Sequence, residues 1–117
     1  MSERKNLIKN IARFEGEQGA QRIAIQKYEW DCEVPLYVMT RNDALRVLDK
    51  YLCNEITSED LQAWASFLEQ REDIAFEEEA SVLLDKMVFL LANPEINFPI
   101  SKELIEQIRL EISADEA

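Results

Sequence analysis

Only two glycines and three prolines punctuate these 117 residues, and that scarcity constrains the fold more than any other feature. Sandwiches and barrels need a turn residue every few positions, whereas helices run for long stretches without one. The expectation is an all-α chain, a small bundle of four to six helices, with a short extended segment near residues 22–35. The length matches one domain, so residues 1–117 are expected to form a single acidic helical domain. A chain of this size buries roughly two thirds of its unfolded surface, enough for a core without metals or disulfides. Apolar residues make up 47%, too many for a disordered chain.

Periodicity places the elements. Leu7, Ile8, Ile11 and Phe14 share one side of a helix over residues 2–14, with Lys5, Lys9 and Arg13 opposite. Gly16 and Gly19 then break the pattern. Residues 22–35 support two readings: alternation of Ile23 and Ile25, then of Tyr28, Trp30, Cys32 and Val34, suggests an extended segment or hairpin, whereas Ala24 and Tyr28 also suit a helix. A helix followed by an extended stretch ending at Pro35 reconciles them. Thr40 is placed to cap a helix with Asp43 at its third position, and Asn54 to end it. Thr57 caps the next helix, whose Leu61, Trp64, Ala65 and Leu68 form one stripe. After a short acidic connection, residues 77–92 form a helix that is apolar on nearly every side except for Asp85 and Lys86. Such a helix belongs at the centre of a bundle. Asn93-Pro94 stops it, and Ser101 caps a last helix bearing Leu104, Ile105, Ile108 and Ile112 inward. Residues 113–117 are expected to fray.

Charge narrows the function classes. Twenty-four acids against thirteen bases give a net charge of −11. Residues 1–50 hold nine bases and eight acids, for +1, and residues 51–117 hold four and sixteen, for −12. Phosphates would be repelled, which argues against direct nucleic-acid binding and favours a basic protein partner, unless the excess acts only to keep the chain in solution. Between Glu55 and Glu79 stand nine acids and one base, Arg71. The partner-binding surface is expected in this region, at Glu69, Glu72, Asp73, Glu77, Glu78 and Glu79. A patch of that density steers a basic partner toward it. Trp64 suits a core position better than an interface anchor; for Trp30, flanked by Tyr28 and Tyr37, both roles stay open.

Catalytic chemistry finds little support. Histidine is absent, which removes Ser-His-Asp and Cys-His pairs, His-containing zinc sites and the usual neutral-pH base. No glycine-rich phosphate cradle occurs, and the run Glu77-Glu78-Glu79 lacks the spacing of a calcium loop. No enzyme activity, cofactor or metal is expected. The polar N-terminal stretch is no secretory signal, and Cys32 and Cys53 form no C-x-x-C pair. The longest apolar run, residues 82–92, is about half a bilayer span. A cytoplasmic protein that does not engage the membrane is expected.

Residues 42–74 contain a helix ending in a short polar turn, then Ile56, Thr57, Asp60 and Leu61, then Trp64 on a second helix. This order resembles small bacterial immunity proteins of the colicin and contact-dependent growth inhibition type, in which Ile-[Ser/Thr]-x-x-[Asp/Glu]-[Leu/Phe] precedes a Trp-bearing helix. The resemblance implies an inhibitor that binds the toxic domain of a cognate nuclease, its acidic surface standing in for phosphates. Two alternatives share the composition: a phage-type acidic mimic of nucleic acid that inhibits a restriction or CRISPR nuclease, and a non-catalytic adaptor subunit.

Overall fold

The computed structural model describes residues 3–28 and 35–114. Six helices and one small sheet follow each other along the chain. They are α1 (Glu3–Ala12), α2 (Gln18–Ile25), β1 (Tyr37–Met39), α3 (Arg41–Leu52), α4 (Ser58–Glu69), β2 (Ile74–Phe76), α5 (Ser81–Ala92) and α6 (Lys102–Ala114). A single 3-10 turn, Glu78–Ala80, leads into α5. The mostly helical bundle expected from the glycine count is present, and the described helices number six.

Local chemistry sets the helix limits. Thr40 Oγ1 accepts from the Asp43 N–H at 3.2 Å and the Asp43 carboxylate accepts from the Thr40 N–H at 3.1 Å. Thr57 and Asp60 repeat the exchange at 2.9 and 3.1 Å. Each reciprocal pair satisfies two backbone donors that a bare helix start leaves open. Ser101 Oγ accepts from the Leu104 N–H in the first turn of α6. At the far ends, α1 and α3 close alike. Phe14 and Asn54 adopt left-handed φ values of 53° and 64°. Behind them the Glu15 N–H reaches the Asn10 carbonyl, and the Glu55 N–H that of Lys50. These six-to-one bonds satisfy carbonyls that the helix ends would otherwise leave open.

One core joins all the layers. Ile8 and Ile11 of α1, Val47 and Leu48 of α3, Leu61 and Trp64 of α4, Leu84, Met87 and Leu91 of α5, and Ile105 and Ile112 of α6 are essentially inaccessible. Trp64 is a core residue, as its stripe predicts: its indole N–H donates to the Ala12 carbonyl at 3.1 Å, tying α4 to the end of α1. The buried indole N–H thus finds an acceptor.

Two sequence expectations need correction, and a third is met in part. Of residues 22–35, read as a helix followed by an extended stretch ending at Pro35, the structure describes only part. Residues 22–25 finish α2, residues 29–34, including Trp30 and Cys32, lie outside the described residues, and the strand begins at Tyr37. Ile23 is exposed while Ile25 is buried, an alternation that one turn of helix also produces, and the helical start of that reading is present. The acidic connection before α5 contains a second strand, β2, paired in parallel with β1 through Tyr37↔Ile74, Val38↔Ala75 and Met39↔Phe76. Finally, α5 packs against α4, α6 and β2 but does not sit at the centre. Val82 is 80% exposed and Phe89 46%, so one apolar strip of this helix faces outward. Ser113 belongs to α6, and residues 115–117 lie outside the described residues.

Candidate functional site

The six acids expected at the partner surface do not stay together. Glu69, at the end of α4, and Glu72, Glu78 and Glu79 are exposed. Asp73 is not a surface residue: it is completely buried. The Arg71 guanidinium binds it through two bonds, Nε to Oδ1 at 3.1 Å and Nη2 to Oδ2 at 2.7 Å. Arg4 of α1 adds Nη2 to Oδ2 at 3.4 Å. The Asp73 carbonyl also accepts from the Leu36 and Tyr37 N–H groups, at 2.8 and 3.3 Å. A carboxylate buried this far must be paired to remain charged, and here the pairing fastens β1 and α1 to the start of β2.

Glu77 is half-buried and already occupied. Its Oε2 accepts from the Arg41 N–H at 2.5 Å, at the positive end of α3. Neither Asp73 nor Glu77 therefore offers a free carboxylate to a partner. The misassignment came from treating the run of acids as one face, although strand alternation and a local helix end divide it.

Of the remaining acids, Glu69 lines a groove. Between the end of α4, β2 and α5 lies a concavity of about 440 Å³ whose walls include Ile74, Phe76, Val88 and Phe89, with Glu69, Asp85 and Arg71 alongside, the last bound to Asp73. Asp85 and Phe89 stand four apart on the outward strip of α5 and so share a face. Asn93 Nδ2 donates to Glu69 Oε2 at 3.2 Å and to the Phe89 carbonyl at 3.0 Å, which orients the Glu69 carboxylate. Asp85, Phe76 and Phe89 were not among the predicted site residues. The signal for two of them was present in the polar strip of α5, where an acid interrupts an otherwise apolar helix.

The distribution of ion pairs sharpens the contrast between the two halves of the chain. In the first half Glu3 pairs with Lys27, Glu15 with Arg13 and Arg46, and Asp43 with Arg13. Asp49 pairs with Arg109 of α6. The hydrogen bond from Lys27 holds the Glu3 carboxyl below its ordinary range, helped by one from Tyr28. Burial, followed by the Asp43 carboxylate that accepts its proton at 2.5 Å, pushes the Tyr37 phenol far above its ordinary value. Tyr28 and Tyr37 are thereby engaged within the fold. By contrast, Glu69, Glu72, Glu78, Glu79 and Asp85 form no ion pair among the described residues. Two of them, Glu69 and Asp85, line the groove together with Arg71, whose guanidinium binds Asp73.

No group of three His, Cys, Asp or Glu residues able to hold a metal occurs among the described residues. None of their helices is long and apolar enough to cross a membrane. A second, more apolar groove of about 520 Å³ separates α5 from α6, with Leu90, Phe98, Leu104 and Ile108 in its walls. There Glu111 is paired with Lys86 at 3.3 Å, and Glu103 lines the groove without an ion pair among the described residues. Comparison with protein families, with curated proteins and with solved structures finds no match for this chain.

Proposed function

We propose that this protein is a non-catalytic inhibitor of immunity type, which binds a basic protein, a cognate nuclease toxin domain, through the acidic groove between α4, β2 and α5. The observation that carries this reading is the pair of carboxylates without an ion pair, Glu69 and Asp85, in the wall of a groove that also exposes Phe89, where the one cation, Arg71, is bound to Asp73. Fixed negative charge accelerates encounter with a positive cleft, and an exposed aromatic ring in a concave site supplies the desolvated anchor that charge alone does not. The carboxylates would occupy the positions that phosphates take on the nuclease. The resemblance of residues 42–74 to bacterial immunity proteins points the same way.

The test is inhibition of a nuclease toxin domain sought among the genes adjoining this one. Cleavage of nucleic acid should fall to background near one equivalent of the protein, with an association rate that drops steeply as salt rises. A nuclease that runs at full speed in tenfold excess of the protein would rule the reading out. Inhibition of a restriction or CRISPR nuclease instead would favour the phage-type mimic. Binding that is insensitive to salt would favour the adaptor.

A further inference from the structure

The sheet is unusual for its size. Parallel strands normally lie inside larger sheets, and an isolated pair of strands is marginal in water. Here three residues pair with three, and the register determines which backbone groups are used. The Tyr37 N–H donates to the Asp73 carbonyl and the Glu77 N–H to that of Met39. In a parallel ladder alternate residues of each strand face the partner, so Tyr37 and Met39 of β1 bond Asp73, Ala75 and Glu77 along β2. The N–H and C=O groups of Ile74 and Phe76 therefore point away from β1, and no other described residue bonds them.

Ile74 and Phe76 are also the β2 residues that wall the 440 Å³ groove, and no β1 residue contributes to it. The residues whose main-chain groups β1 leaves unused thus belong to the groove wall, beside Glu69, Asp85 and the Asp73-bound Arg71. On the other flank, α1 packs against β1. Unpaired strand groups are a template for another strand, and main-chain bonds there supply affinity while flanking side chains supply selectivity.

We propose that the free edge of β2 accepts an extended, lysine- or arginine-bearing segment of the partner protein as a third strand, with its cations against Glu69 and Asp85. This rests on the reading of the protein as a binder of a basic partner, and it adds the mode of docking. Charge selects the occupant. A second copy of this chain would bring Glu69 and Asp85 against their own counterparts, whereas a basic strand meets opposite charge.

The experiment uses the intact protein and a blocked hexapeptide of alternating lysine and valine, followed by amide NMR and hydrogen exchange. In the free protein the Ile74 and Phe76 amides should exchange fast and the Ala75 and Glu77 amides slowly. The peptide should shift the first two and slow their exchange. N-methylation of one alternate set of peptide amides should weaken binding by roughly tenfold or more, while methylation of the intervening set is tolerated, because a strand directs every second N–H to its neighbour. Equal tolerance of both sets, with binding that still needs lysine, overturns strand addition and leaves the acidic-surface reading standing. A neutral threonine–valine peptide that binds as well as the lysine peptide overturns the charge requirement and the acidic-surface reading with it. Slow exchange at Ile74 and Phe76 without peptide, accompanied by dimers in sedimentation, overturns the proposal in favour of a second copy. Absence of binding by any of these peptides overturns it outright.

Discussion

Glu72 and Asp73 are adjacent acids with opposite surroundings, and the difference is measurable. Glu72 is exposed, whereas Asp73 is buried between Arg71 and Arg4. Replacing Asp73 with Asn leaves guanidinium charge beside a neutral side chain, and breaking one side of a buried pair costs about 3–5 kcal/mol. Glu72→Gln should stay within about 0.5 kcal/mol of the parent in urea unfolding. Equal stability of the two variants would show that Asp73 is not the fastener described. Tyr37 gives a second test at this scale. Its phenol is held protonated in the fold, above the ordinary value of about 10, by burial and by Asp43. A raised folded value means that its contribution is complete below about pH 10 and is lost as pH rises toward the folded value. Urea midpoints of the parent should therefore fall above about pH 10 more steeply than those of Tyr37→Phe. Parallel curves for the two proteins would contradict the assignment.

At the scale of elements, α5 has two unlike faces. Leu84, Met87, Val88 and Leu91 face the core, while Val82, Asp85 and Phe89 face out. Leu84→Ala should cost about 2–5 kcal/mol through lost contacts and a residual cavity. Val82→Ser, two residues away, should change stability by no more than about 0.5 kcal/mol. If both substitutions cost the same, the helix is packed on all sides, as its hydropathy alone suggests. An outward apolar strip on a helix bordering a groove is the kind of feature that marks contact surfaces. It explains why a segment so apolar is tolerated at the surface of a chain carrying −11 charges.

For the whole molecule, the charge divides by pairing. Among the described residues, acids of the first half are ion-paired in Glu3–Lys27, Glu15–Arg13 and Asp43–Arg13, and Glu69, Glu72, Glu78, Glu79 and Asp85 near β2 and α5 are not. Reversing Glu69, Glu72, Glu78 and Glu79 to Lys together should slow association with a basic partner and flatten its salt dependence, because several aligned charges act mainly on the encounter. The circular dichroism spectrum should not change, since none of the four is engaged in an ion pair among the described residues. Glu77 is left out of this set: its bond to the Arg41 N–H makes Glu77→Lys a change of stability as well as of charge. Association at the parental rate in low salt would show the patch to be only solvated.

Features set by neighbours in the chain could be read from the sequence alone. The Thr40–Asp43 and Thr57–Asp60 caps, the stop at Asn54, the start at Ser101 and the inward stripe through Trp64 all depend on residues within one or two helical turns. So did the predominance of helix, because glycine and proline are scarce throughout. Tertiary structure alone decided the rest. Pairing of β1 with β2 joins segments separated by two helices, and three-residue strands carry too little alternation to announce themselves. The same pairing buries Asp73, occupies Glu77 and turns the groups of Ile74 and Phe76 outward. An acid has the same composition whether it faces water or an arginine. Which it faces depends on where distant backbone passes, and that is fixed only when the core closes.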